Sequence, residues 1–179
     1  MYFQNIEFFE TDKFQYLLIH KNACTSVLKC IEKYNPKLVS NSSINKIKWT
    51  VIRDPYERFI SGLNYDLKRH KISIEDISLE KLFVSYVNSN TRVHGNVNHT
   101  VSQVLYLANT NIDWYIDIND LDLFLKIHFN TNIKLNSGHE KNVFFDKKEV
   151  MKYLQLDYQV YNRIKSSAYL WEWQKGKIF

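Results

Sequence analysis

The residues best suited to chemistry sit at two corners where a strand gives way to a helix. The first reads His20-Lys21-Asn22-Ala23-Cys24-Thr25-Ser26, between the apolar run Phe14 to Ile19 and the helical spacing of Val27, Leu28 and Ile31. Backbone N–H groups that open a helix lack intrahelical partners and together make an anion site. Ala23 and Cys24 are small enough to let a phosphate approach the main chain, Thr25 and Ser26 add hydroxyl donors, and Lys21 adds a mobile positive charge. A plainer reading makes Thr25 or Ser26 an ordinary helix cap and leaves Lys21 solvated. The second corner, Arg53-Asp54-Pro55-Tyr56-Glu57-Arg58-Phe59-Ile60-Ser61, shifts that balance. Arg53 leaves a strand end as a planar fork suited to phosphate, and Ser61 lies two helical turns beyond it. Asp54 and Pro55 give the helix a charged, preorganised start. Alone, this corner could be a structural turn with Arg53 paired to Asp54 or Glu57. The two corners together suit one ligand carrying two separated phosphates.

The elements that must position these groups follow from hydrophobic spacing. Phe14 to Ile19 has the length of a buried strand, and Thr25 to Tyr34 reads as a helix closed by Asn35-Pro36. Residues 37–46 read as a loop. Lys48 to Ile52 is a second strand, and Pro55 opens a helix whose buried face carries Phe59, Ile60, Leu63 and Leu67. Strand, helix, strand, helix predicts an α/β fold with a central parallel sheet, right-handed crossovers and flanking helices. Ligands in such sheets sit beyond the carboxyl ends of the strands, where both corners fall. Further along, Leu79 to Val87 reads as helix, residues 88–100 as a polar loop, Asp113 to Ile118 as a strand, and Leu121, Phe124 and Leu125 as one face of the next helix. Residues 130–142 read as loop. Lys147 to Lys165 reads as one long helix with Val150, Met151, Leu154, Tyr158 and Tyr161 at helical period, ahead of an aromatic, basic tail.

A length of 179 residues favours a single compact domain over 1–179. The net charge of +5 points towards anionic partners, but the lysines are scattered, and a soluble surface rich in Lys and Asn accounts for most of it. Cys24 and Cys30 fall on different helix faces, which disfavours a disulfide and suggests a reducing compartment. No Cys/His cluster has zinc spacing, so no metal is expected. The opening MYFQNIEFFETDK lacks the pattern of a signal peptide, and no run approaches the roughly 18 apolar residues of a membrane span. A cytoplasmic location is expected.

The pair "IHKNACTSV" and "VIRDPYERFISGLNY" resembles the two nucleotide-binding motifs of sulfotransferases, especially the carbohydrate branch. The resemblance implies a P-loop-like sulfotransferase fold and a sulfuryl donor, 3′-phosphoadenosine 5′-phosphosulfate (PAPS). Lys21, Thr25 and Ser26, with Asn22, Ala23 and Cys24 between them, match the motif that grips the 5′-phosphosulfate. Arg53 and Ser61 match the motif that grips the 3′-phosphate, with Arg58 as its second arginine. Fainter likeness runs through "HTVSQVLYL", "DWYIDINDLDLFL", where Asn119 stands in place of a frequent Glu, and "VMKYLQLDYQVYNRI". The C-terminal glycine-rich adenosine clamp of the cytosolic branch has no counterpart here.

Sulfuryl transfer needs in-line displacement with charge developing on the leaving phosphate, so Lys21 is the expected stabiliser. The acceptor is a hydroxyl, by resemblance that of a carbohydrate, and its proton needs a base near neutral pKa. Of six histidines, His128 lies on an apolar helix face and reads as core, His20 adjoins the turn, and His70 and His139 read as solvated. His99 carries the family likeness and leads as base, with His94 and Glu57 behind it. A P-loop nucleotide or small-molecule kinase is the first rival, but G-x-x-x-x-G-K-[ST] is missing and Lys21 precedes the small residues. A non-catalytic binder of nucleic acid or acidic glycan is the second, and it predicts steep salt dependence. Basic clusters alternating with aromatics occur only near Trp171 to Lys177, so no nucleic acid is expected.

Overall fold

The computed structural model describes residues 7–80, 82–83, 99–108, 110–131 and 145–171. The chain is α/β, with a five-stranded mixed sheet flanked by helices. It divides into two compact units. One comprises Asn5–Arg53, Asn111–Ser137 and Asn162–Phe179, and the other Met1–Gln4, Asp54–Thr110 and Gly138–Tyr161.

The first unit holds the sheet: β1 (Phe8–Glu10), β2 (Phe14–Leu17), β3 (Lys37–Val39), β4 (Ile47–Ile52) and β5 (Trp114–Asp117), in the order β3-β1-β2-β4-β5. β2, β4 and β5 are parallel neighbours, with Tyr16 opposite Trp49 and Ile52 opposite Asp117. The expected all-parallel sheet is corrected by β1, which runs antiparallel to both β2 and β3. Its reversal has a local cause: the Thr11 N–H donates to the Phe14 carbonyl at 2.8 Å, closing a tight turn too short for a crossover. β3 is a second correction, because it lies inside the stretch expected to be loop. It is an edge strand with Leu38 exposed, and such a strand carries little alternating signal.

Helix α1 (Cys24–Ile31) buries Val27, Cys30 and Ile31, and α4 (Leu121–Phe129) buries Leu121, Phe124, Leu125 and Phe129. These side chains share one core with Tyr16, Trp49, Val51 and Ile116. The Trp49 ring lies 4.7 Å from those of both Tyr16 and Phe124. Each such buried side chain contributes roughly 1.5–3 kcal/mol. His128 is half-buried among Phe14, Trp114, Phe124 and Trp171, and desolvation holds its pKa below the usual imidazole value, in line with a core role. The outer edge of β5 is covered: Tyr115 exchanges main-chain hydrogen bonds with Tyr169 and Trp171, both at 2.9 Å. Both cysteines are free thiols.

The second unit is built on α2 (Pro55–His70). Asp54 caps it by accepting from the Glu57 N–H at 3.0 Å, Pro55 takes the first helical position, and Lys71 ends it in the left-handed conformation at φ 53°. Phe59, Ile60, Leu63 and Leu67 are all buried, as the spacing predicts, with Ile77, Leu82, Phe83, Val150 and Leu154. The short α3 (Val104–Leu107) follows the segment that carries His99. The expected long helix over Lys147 to Lys165 is corrected to two, α5 (Lys147–Tyr153) and α6 (Gln155–Lys165). At Leu154 the N–H is shared between the Val150 and Met151 carbonyls, so the ladder breaks while the side chain stays buried. The apolar period survives such a break and therefore conceals it. Of the expected inward face, Met151 is exposed. The described residues include no helix long and apolar enough to cross a membrane.

Candidate functional site

Because β2 and β4 are adjacent and parallel, their carboxyl ends lie side by side in the sheet unit, and both predicted corners leave from there. The first corner is a turn over His20 to Ala23 with two left-handed residues, Lys21 at φ 67° and Ala23 at φ 60°, ψ 22°. Each such residue costs roughly 1–2 kcal/mol outside glycine, so neighbouring contacts must hold the turn in place. Asn22 supplies two of them. Its N–H donates to the Ile19 carbonyl at 3.2 Å, and its fully buried side-chain amide donates to the Val51 carbonyl of β4 at 2.7 Å. Thr50 adds a buried bond from Oγ1 to the Leu17 carbonyl at 2.9 Å.

The second corner closes on the first: Arg53 Nη1 donates to the Lys21 carbonyl at 3.2 Å. Lys21 and Arg53, predicted from separate motifs, are thus brought together. Ala23 is the N-cap of α1, which corrects the alternative that Thr25 or Ser26 caps the helix. Those two residues occupy the second and third helical positions, with Thr25 exposed and Ser26 half-buried. No side chain caps α1 among the described residues, and its first turn holds no acidic residue, so this helix start keeps its positive dipole end. Left-handed residues beside a helix start are the backbone form of an anion nest.

The tip of β5 adds a feature that sequence reading missed. Buried Asp117, paired with Ile52, accepts from Lys165 Nζ at 2.7 Å and from the Asn119 N–H at 3.0 Å. This ion pair puts a further cation on the carboxyl edge of the sheet. Two surface concavities lie elsewhere, one of about 460 Å³ lined by Glu10 and residues 38–43, and one of about 360 Å³ beside Tyr153 in the other unit.

The α2 unit holds Glu57, Ser61 and His99. Glu57 is exposed in the first turn of α2, and Ser61 is half-buried one step before Gly62. Gly62 is where the main chain of His99 comes in: a Cβ there would stand 2.3 Å from the His99 carbonyl oxygen. Asp66, one turn further along α2 and fully buried, meets His99 with both of its oxygens. Its Oδ2 accepts from the backbone N–H at 3.0 Å, and its Oδ1 lies 2.5 Å from Nδ1. The Tyr65 ring meets the imidazole edge-on at 4.5 Å. His94, the next candidate base, lies outside the described residues, as does most of the aromatic tail.

Arg58, the second arginine of the motif, is buried beside Asp157. Asp157 accepts from Ser102 Oγ at 2.6 Å and from the Gln103 N–H at 3.0 Å. Burial pushes its pKa up to about 6 against the opposing pull of Arg58 and of the backbone N–H groups of Val104 and Gln103. Neither Asp66 nor Asp157 shows any sequence signal, since each lies on a helix far along the chain from the groups it holds. Among the described residues, no group of three His, Cys, Asp or Glu side chains is placed to hold a metal ion. No protein-family model matches the chain, and no curated protein or solved structure matches it either.

Proposed function

We propose that this chain is a PAPS-dependent sulfotransferase that modifies an acceptor hydroxyl, in keeping with its motifs that of a carbohydrate. The observation that carries the reading is the Arg53-to-Lys21 bond, which joins two phosphate-type corners at neighbouring parallel strand tips. The donor set fits a nucleotide with two separated phosphates: an arginine fork, a lysine, and a helix start with positive dipole, hydroxyls and no acid.

PAPS supplies an activated sulfuryl group whose leaving group is the 5′-phosphate of the nucleotide. As the acceptor oxygen bonds to sulfur, the bond from sulfur to the 5′-phosphate oxygen breaks, and the acceptor proton passes to a base. In this reading, Lys21 and the opening N–H groups of α1 neutralise charge building on the leaving phosphate. Thr25 and Ser26 hydroxyls donate to the same group, while Arg53 holds the 3′-phosphate. His99 stands first as the base.

A thermal-shift comparison of 3′-phosphoadenosine 5′-phosphate (PAP) with ATP, ADP and AMP tests the reading. Binding to the folded state alone adds about 2.7 kcal/mol at a hundredfold excess over Kd. PAP should raise the melting temperature most. Preferential stabilisation by ATP would favour a nucleotide kinase instead.

A further inference from the structure

Three aromatic rings of the α2 unit form a column that ends at the surface. Phe59 of α2 is buried and stacks on Phe83 at 5.0 Å and 12°, and Phe83 in turn stacks on Tyr153 at 4.2 Å and 4°. Tyr153, the last residue of α5, keeps 42% of its surface exposed. Its ring is held flat from beneath by a packed neighbour while it lines the concavity of about 360 Å³. The rim of that concavity is polar. Glu149 stands one helical turn before Tyr153 on α5, Lys152 adds an ammonium, and Ser78 and Glu80 come from the segment just ahead of Phe83. Asp146 fixes the start of α5 by accepting from the Lys148 and Glu149 N–H groups at 2.8 Å and 3.2 Å.

We infer that the outer face of Tyr153 is a stacking platform for a sugar ring free of phosphate, sulfate and carboxylate, which makes this concavity a carbohydrate-binding site of the α2 unit. An aromatic face carries negative charge density, and the axial C–H groups of a pyranose face are weakly positive, so the two surfaces attract as both leave water. A ring already held by Phe83 gives up little freedom when a ligand settles on it. The hydroxyls around the sugar then need partners at the rim. Glu80 and Glu149 accept from sugar O–H groups, and Lys152 donates to sugar oxygens. Two carboxylates against one ammonium leave the rim negative, which disfavours anionic ligands. The site stands on these residues alone, and only the view of its sugar as part of the acceptor rests on the sulfotransferase reading.

An array of uncharged, amino and sulfated oligosaccharides probed with the full chain tests this. Wild type should bind one or more of the non-anionic glycans. Tyr153→Ala should weaken the tightest of these by about tenfold or more, and returning the ring as Tyr153→Phe should recover most of the loss. Saturation-transfer NMR of wild type with that glycan should place the strongest transfer on the C–H groups of one pyranose face. Binding confined to sulfated glycans, or to none, would overturn the inference. A Tyr153→Ala protein that unfolds cooperatively and binds as tightly as wild type would overturn it equally. Should that variant not fold, transfer spread evenly over both faces of the sugar would overturn it in wild type itself. Glycan binding that depends on Tyr153, in a protein that PAP does not stabilise, would support this site and count against the sulfotransferase reading alone.

Discussion

The side chain of Asn22 crosses from the turn after β2 to the neighbouring strand and donates to the Val51 carbonyl at 2.7 Å, wholly out of contact with water. It pins a turn whose flanking residues, Lys21 and Ala23, are both left-handed. Asn22→Ala removes that donor and strands a buried carbonyl, which costs roughly 1–3 kcal/mol. Urea denaturation should show the loss as a lower midpoint with an unchanged slope. A midpoint equal to wild type would mean that the turn does not depend on this bond.

Gly62 offers a sharper steric test. A methyl group there meets the His99 carbonyl oxygen at 2.3 Å and its carbon at 2.7 Å, both main-chain atoms that cannot swing aside. Gly62→Ala should destabilise the protein by roughly 1–3 kcal/mol, typical of forced overpacking, despite the better helix propensity of alanine. Thermal unfolding measures this directly. A stabilised variant would contradict the close approach.

Asp157 sets a pH dependence of stability. Its pKa rises from the ordinary carboxylate value to about 6 in the folded chain because burial disfavours the charged form. The folded state therefore binds more protons than the unfolded state between about pH 4 and pH 6, and the contribution of this group falls as pH rises through that window. The effect is on the order of 2–3 kcal/mol. Denaturation of wild type and Asp157→Asn at pH 4, 5, 6 and 7 should show wild type losing ground to the variant as pH rises. Parallel curves would place the titration elsewhere.

These features divide by how far they were legible in the chain. The strands Phe14–Leu17, Ile47–Ile52 and Trp114–Asp117 show as short apolar runs, and α2 shows through Phe59, Ile60, Leu63 and Leu67, because burial on one face imposes a period. Lys37–Val39 is hidden because it pairs on one side only and leaves Leu38 in solvent. Phe8–Glu10 is hidden in a stretch that mixes aromatic and acidic residues. Of the candidate site, the cations and small residues of the two corners were legible, since local spacing carries them. The pairings of Asp66 with His99, Asp157 with Ser102 and Lys165 with Asp117 were not, because only the folded chain joins residues 33, 55 and 48 positions apart.

The two corners should differ in kinetics. In the proposed reaction, Lys21→Ala would remove charge stabilisation needed most at the leaving group, so turnover of PAPS should fall about a hundredfold or more while PAP affinity changes little. Arg53→Ala should weaken PAP binding first, by about tenfold or more. Single-turnover assays and equilibrium titration separate the two effects. The reverse pattern would exchange the roles of the two residues.

Calorimetric titration of the full chain with PAP, set beside ADP under the same conditions, reaches the central claim most directly. The account predicts one saturable site for PAP that binds ADP more weakly and loses affinity in Arg53→Ala. An absence of saturable heat with PAP, or ADP binding as tightly, would contradict a clamp built by Lys21 and Arg53 for a nucleotide with phosphates at both ends of its ribose.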